Sequence, residues 1–319
     1  MNSLELCAGA GGQALGLERA GFEHQGLVEI DMAACNTLRL NRPRWNVIEA
    51  DLTHFSARGY QGIDLVAGGV PCPPFSKAGK QLGADDERDM FPQAMRIVNE
   101  TRPKAVMLEN VRGLMDPQFD SYRQALSAQL QKMGYWSDWR LFNAADFGVS
   151  QLRPRVLCVA LRKDIAPFFR WPEPLDKPRV SVGTLLLDLM QANGWEGAAA
   201  WAGHASAIAP TLVGGSKKHG GPDLGPTRSR AAWAALGVDG RGLANEAPET
   251  HFLGMPRLTV RMCARIQGFP DLWQFFGKKT AFYRQVGNAF PPPVAHAVSQ
   301  CIASAIEEAA RQRIHQMVA

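Results

Sequence analysis

The chain has 319 residues, 46% of them hydrophobic and 20% charged, a composition that supports a sizeable core and excludes disordered, collagen-like and coiled-coil chains. No apolar run approaches the roughly 18 residues of a membrane span, and the residues after Met1 lack the basic and apolar regions of a secretory signal, so a cytoplasmic protein without membrane contact is expected. The net charge of +5 conceals a division: residues 1–150 carry 15 Lys and Arg against 18 Asp and Glu, and residues 151–319 carry 20 against 12, so the second half is expected to handle something polyanionic.

Short apolar runs at Ser3–Cys7, Gln25–Ile30, Asn46–Ala50, Asp64–Ala67, Ala105–Leu108 and Val156–Leu161 read as strands, most of them bounded by Gly, Pro or Asp. Helices are predicted between them: one beginning near Gln13, one from the spacing of Met90, Phe91, Ala94, Ile97 and Val98, and one from Phe119, Tyr122, Leu126, Leu130 and Met133. This alternation predicts an α/β fold with a doubly wound, mainly parallel, Rossmann-like sheet that binds ligands at the carboxyl ends of its strands. After about Asp164 the rhythm changes to a proline-punctuated, irregular stretch whose segment Ala209–Ala247 is rich in Gly, Lys and Arg, and a second, smaller irregular domain is expected there. Val294, Val298, Cys301, Ile302, Ala305 and Ile306 predict a last helix, with Arg311 and Arg313 near its end. The six cysteines are scattered singly, which argues against a zinc site and a disulfide framework.

Ala8-Gly9-Ala10-Gly11-Gly12 follows the first strand, placing glycine where backbone must turn sharply and approach a ligand. Glu29 at the end of the second strand is suited to accept both hydroxyls of a ribose, and Asp51 closes the third strand. The turn is not the Gly-x-Gly-x-x-Gly of dinucleotide enzymes, and no phosphate loop occurs. An adenosine-containing ligand without phosphate, S-adenosylmethionine, suits the pattern better than a nicotinamide dinucleotide or a nucleoside triphosphate.

The fourth strand leads into Gly68-Gly69-Val70-Pro71-Cys72-Pro73-Pro74-Phe75-Ser76. Prolines on both sides of Cys72 deny it a helix or a central strand and stiffen the loop, which favours a nucleophile over a packing thiol. Glu109 in Leu108-Glu109-Asn110-Val111 ends the next strand, and Arg153 and Arg155 project to one side of an extended segment. A cysteine, an acid and fixed positive charge on neighbouring strand ends form an active-site constellation without a metal.

These residues, in the order Ala8 to Gly12, Glu29-Ile30-Asp31, Asp51-Leu52, Pro71 to Ser76, Glu109-Asn110-Val111, Gln151 to Arg155, Arg257-Leu258-Thr259 to Gly268-Phe269-Pro270, and Gln285-Val286-Gly287-Asn288-Ala289, closely resemble the DNA (cytosine-5)-methyltransferases of bacterial type. The resemblance covers nearly the whole chain apart from about 164 to 256. It implies a catalytic, S-adenosylmethionine-binding domain over 1–163, a target-recognition domain over 164–280 and a segment, 281–319, that returns to the catalytic domain. It implies that Cys72 adds to carbon 6 of cytosine, that Glu109 neutralises N3, and that Arg155, with Arg153 nearby, stabilises the ring oxygen and the thiolate. Carbon 5 then takes the methyl group, and loss of its proton with expulsion of Cys72 leaves S-adenosyl-L-homocysteine as the second product.

The same resemblance gives Glu29 the ribose, Asp51 the adenine amino group, and Gly9, Gly11 and Gly12 the methionine end, with Ala10, Ile30, Leu52 and Pro71 in the pocket and Phe91, Asn288 and Ala289 closing it. Cys7 stands where the family usually has Phe, so adenine loses a stacking face and weaker cofactor binding is expected. Pro73 stands where Gln is frequent, which removes one loop contact to DNA.

A cytosine inside a duplex cannot present its ring to Cys72, so the base must be flipped out. Ser76, Lys77 and Lys80, in a stretch with two glycines, are expected to form a loop closing over the DNA backbone, and Gln151, Lys217, Lys218, Arg228 and Arg230 are further candidate DNA contacts. Thr211-Leu212-Val213 resembles a short motif of target-recognition domains. The lysines and arginines suggest a G·C-rich site. Double-stranded DNA is the expected partner, a cognate restriction endonuclease a possible companion, and a monomer the expected state. A tRNA methyltransferase on the same scaffold and a catalytically silent DNA-binding module are the alternatives. The long recognition segment favours duplex DNA over RNA, and the intact Cys72, Glu109 and Arg155 favour an enzyme.

Overall fold

The computed structural model describes residues 1–71, 89–214 and 221–318. Seven strands, β1 (Asn2–Leu6), β2 (Glu23–Glu29), β3 (Val47–Glu49), β4 (Leu65–Gly68), β5 (Ala105–Val111), β6 (Tyr135–Asn143) and β7 (Pro154–Arg162), form one sheet in the order β3-β2-β1-β4-β5-β7-β6. The first five run parallel, as the alternating pattern predicts, and β7 runs antiparallel to both of its neighbours. Strand β6 has no counterpart among the predicted runs. It lies at the sheet edge, half of it facing solvent, and Ser137, Asp138 and Arg140 interrupt its apolar character.

The reversal of β7 positions the site. A parallel strand would bring its carboxyl end to the ligand edge. Here the start of β7 lies there, with Arg155 opposite Val111 and Leu157 opposite Glu109 on β5. The carboxyl end of one strand and the amino end of the next therefore share one rim.

Both faces of the sheet are covered, and the central strands read as continuous apolar runs. Leu65, Ala67, Ala105 and Met107 point to the side packed by α1 (Gly12–Arg19) and α10 (Pro292–Val318). Val66, Val106 and Leu108 point to the opposite side, against α3 (Phe91–Thr101) and α4 (Asp120–Lys132). Helices α1 and α10 approach closely because Gly16 has no side chain: a Cβ there would lie 2.4 Å from that of Ala295. A further helix, α2 (Met32–Asn41), is capped by Asp31, whose carboxylate accepts from the backbone of Ala33 and Ala34.

The second region holds α5 (Val182–Met190), α6 (Ala198–His204), α7 (Thr227–Ala234) and α8 (Val260–Ile266), joined by long irregular connections, and is followed by α9 (Lys279–Asn288). Its buried side chains, Trp233 and Trp273 among them, form one cluster with Ala14, Leu15 and Leu38 of α1 and α2. The Trp273 indole donates to the carbonyl of Ala10 at 3.1 Å, so this second region braces the glycine-rich turn directly. Among the described residues no helix is long and apolar enough to cross a membrane.

Candidate active site

A cavity of about 640 Å³ opens at the carboxyl ends of β1, β2 and β4. One wall is the turn after β1. Cys7 and Gly9 have φ of 53° and 54° and Gly11 has 87°, so three of five consecutive residues occupy left-handed backbone. Gly12 starts α1 against Phe290, whose carbonyl oxygen would lie 2.2 Å from a Cβ at that position. The opposite wall comes from α9 and the residues after it, Arg284, Gln285, Asn288, Ala289 and Phe290.

At one end of the cavity Glu29 is held by the backbone of Gly9 (2.8 Å) and Asp31 (2.7 Å). Burial raises its carboxyl above the usual range, opposed by those same N–H donors. Asp51 accepts from the backbone and hydroxyl of Thr53, which hold its carboxyl below the usual range. Ile30 lies beside them with 64% of its surface exposed, a large apolar side chain open to the cavity. Cys7 lines the same space, and burial with the charges of Glu29, Asp51 and Glu5 pushes its thiol up to about 12, so it stays neutral.

Glu5 and Gln13 were not singled out from sequence, because Glu5 lies inside an apolar strand and Gln13 inside a helix. Both line the cavity and are almost wholly buried, yet Glu5 Oε2 and both amide atoms of Gln13 have no hydrogen-bond partner among the described residues. Unsatisfied buried polar atoms mark a place for a polar ligand group. An adenosine with an amino-acid tail fits this set: acids and an apolar side chain at one end, unpartnered polar atoms beside the glycine turn. S-adenosylmethionine has that chemistry.

Glu109 reaches the cavity from β5 and is largely buried, which raises its carboxyl above the usual range while Arg155 and Arg153 oppose the shift. Arg155 Nε lies 2.7 Å from Glu109 Oε1. Glu109 Oε2 lies only 3.1 Å from where a Cβ on Gly69 would be, so the acid abuts the chain leading to Cys72. Asn110 donates to the carbonyl of Val70 at 2.9 Å, and Met90 donates its N–H to the carbonyl of Pro71 at 2.9 Å. Asn110 thus holds the chain that enters the segment carrying the cysteine, and the Met90–Pro71 bond joins the two ends of that segment. Cys72 itself, with Pro73, Ser76, Lys77, Lys80, Lys217 and Lys218, lies outside the described residues.

Four expected site residues are placed differently by the structure. Gln151, expected at the DNA, is fully buried; its amide donates to Gln267 Oε1 at 2.7 Å and accepts from Leu212 N at 2.9 Å. Arg153, expected beside Arg155, is also fully buried and donates to the carbonyls of Leu212 (2.8 Å), Gly287 (2.7 Å) and Ala289 (3.1 Å). The two guanidinium groups therefore have different partners, backbone carbonyls for Arg153 and the Glu109 carboxylate for Arg155. Phe91 packs its ring on Tyr122 and Trp139 beneath the cavity, which Met90 lines instead. Gly11 faces Leu38 and Trp273 rather than the cavity. Arg228 is exposed and Arg230 partly so, both on α7.

The fold and the site define a class: an α/β protein whose sheet edge joins an adenosine-sized pocket to a buried acid–guanidinium pair. The family model for C-5 cytosine-specific DNA methylases matches residues 1–304. The Type II methyltransferase M.NgoMIV of Neisseria gonorrhoeae is 60% identical over 309 residues, covering 96% of this chain and 98% of that protein. The Type II methyltransferase M.NaeI of Lentzea aerocolonigenes is 55% identical, covering 95% of this chain and 75% of that protein. The solved structure of the Dnmt2 methyltransferase of S. pombe shares the fold, with a TM-score of 0.63 over 97% of this chain and 99% of that one, at 17% identity. The chain belongs to the C-5 cytosine-specific DNA methylases, and its activity is methylation of cytosine in DNA at carbon 5.

Proposed function

We propose that the protein transfers a methyl group from S-adenosylmethionine to a cytosine flipped out of duplex DNA at a specific short sequence, through a covalent adduct with Cys72. S-adenosylmethionine supplies an electrophilic sulfonium methyl when bound. Glu29 would hold its ribose and Asp51 its adenine amino group, Ile30 and Leu52 would cover the adenine, and Glu5 and Gln13 would receive the amino-acid end. The observation that carries the catalytic reading is the 2.7 Å pair of Glu109 and Arg155 abutting the chain that leads to Cys72.

The chemistry follows from cytosine. Carbon 5 is a weak nucleophile until the Cys72 thiolate adds to carbon 6. That addition drives electron density onto N3, where the buried carboxyl of Glu109, held toward its protonated form, donates a proton. Arg155 keeps Glu109 aimed and supplies positive charge for the ring oxygen. After methyl transfer a base removes the carbon 5 proton and Cys72 leaves. Arg153 acts here as a positioning residue: its guanidinium ties the motif Thr211–Val213 to the Asn288–Ala289 wall.

The relatives' names as Type II methyltransferases support a place beside a restriction endonuclease that cuts the same sequence. The decisive experiment incubates the protein and its Cys72→Ala variant with labelled S-adenosylmethionine and either duplex DNA or tRNA. Label in DNA with the wild type alone is expected. Label in tRNA alone would overturn the substrate, and activity of the variant would overturn the covalent step.

A further inference from the structure

We propose that Arg241, held by Asp239, reads a guanine edge in the DNA. The inference rests on the protein's acting on duplex DNA. Asp239 is 8% exposed, and its carboxylate accepts from Arg241 Nε at 2.9 Å, Arg241 Nη2 at 3.2 Å and Arg257 Nε at 3.0 Å, and also from the Arg241 backbone N–H at 3.1 Å. The Arg241 side chain remains 72% exposed. One long edge of its guanidinium is therefore occupied, and the whole group is held in one plane while facing solvent. Among the described residues Nη1 has no partner.

This geometry differs from an ordinary surface ion pair in what it leaves over. A guanidinium bound through Nε and Nη2 presents its far edge, Nη1 and the outer hydrogen of Nη2, as two parallel donors. Guanine displays two acceptors, O6 and N7, along its major-groove edge, the complement of that pair. Fixing the side chain beforehand removes much of the rotamer entropy that a base contact would otherwise cost. Two guanidinium groups around one carboxylate also leave a net positive charge, which suits a surface meeting phosphates.

The position in the fold agrees. Gly240 accepts a hydrogen bond from Leu224 N at 3.0 Å, and a Cβ on the neighbouring Gly225 would lie 3.6 Å from Val213. Val213 leads into Gly214, which touches Asn288 on the cavity wall. The loop carrying Arg241 is thus joined to the rim of the active site by a short, continuous set of contacts, in the region that sequence reading expects to recognise DNA.

The test methylates a duplex pool randomised around cytosine and sequences the modified sites for the wild type, Arg241→Ala, Arg241→Lys and Asp239→Asn. In Arg241→Ala, discrimination at one position that the wild type restricts to guanine is expected to fall by roughly 5- to 150-fold. Arg241→Lys, which keeps the charge and loses the paired donors, should relax the same position, and Asp239→Asn should relax it less. Arg241 is a surface side chain, so its variants decide the matter even if Asp239→Asn fails to fold. An unchanged pattern overturns the proposal, as does a uniform loss across all sequences with a salt slope shallower by about 1, the mark of a phosphate contact. Absence of DNA methylation by the wild type would fail the functional reading itself.

Discussion

The Nε of Arg155 lies 2.7 Å from Oε1 of Glu109, both side chains almost completely shielded from water, at the point where β5 ends and β7 begins. Each group resists ionisation in that setting, and each stabilises the charge of the other. Glu109 still ends above the ordinary carboxyl range, which suits it to hold a proton for N3 of cytosine.

Glu109→Gln preserves shape and cannot deliver a proton. Its rate of methyl transfer in a single turnover is expected to fall by roughly 10²- to 10⁴-fold, with binding of the cofactor product little changed. Equal losses in rate and in cofactor binding would mean that the acid shapes the pocket rather than the reaction.

Arg155 lowers the Glu109 pKa, so its removal must raise it further. In Arg155→Gln the residual activity should persist to higher pH than in the wild type, because the proton on Glu109 is lost later as pH rises. A pH–rate profile checks this, and a descending limb that stays in place would refute it.

Glu5 is fully buried and its carboxyl is held well above its ordinary value of 4.5, chiefly by burial. A raised folded value means that the folded chain binds the proton more tightly than the unfolded chain. That contribution is complete below about pH 4.5 and is lost as pH rises through the folded value. The cofactor-free protein should therefore melt at progressively lower temperature as pH rises above about 5, and Glu5→Gln should flatten that slope; calorimetry at several pH values measures both. Glu29 and Glu109 shift in the same direction, so part of the slope should survive the substitution.

Arg153→Leu leaves the carbonyls of Leu212, Gly287 and Ala289 without their shared donor. A loss of roughly 3 kcal/mol is expected in urea unfolding, together with weaker binding of S-adenosyl-L-homocysteine because the Asn288–Ala289 wall is released. Gly287→Ala attacks the same junction from the other side. Its Cβ would lie 2.5 Å from the backbone of Gly214, and overpacking there should cost roughly 1–3 kcal/mol.

Much of the α/β half was legible because its strands are buried on both faces and its helices carry clear apolar stripes. Glu29, Asp51 and Glu109 stood out for a simple reason: acids at the ends of apolar runs, where a sheet presents its ligands. Other relationships depend on segments far apart in the chain. Gln151 and Arg153 look like solvated polar residues until Leu212, Gln267 and Gly287 close over them. Gln13 reads as a helix-surface residue, yet it is buried in the cavity wall, and no periodicity announces that. Strand β6 was hidden because an edge strand with one wet face tolerates Ser137, Asp138 and Arg140.

The cofactor cavity takes one wall from residues 5–13 and the other from residues 284–290. During synthesis at about 5–20 residues per second, the first wall emerges within seconds and then waits most of a minute at the slower rate for the second. A nascent chain, or one truncated before α9, lacks the second wall of this cavity. Filling of the cavity therefore requires that α9 and the residues just after it have docked on the glycine-rich turn, so a methyl donor bound there would stabilise only chains in which the two distant segments have met.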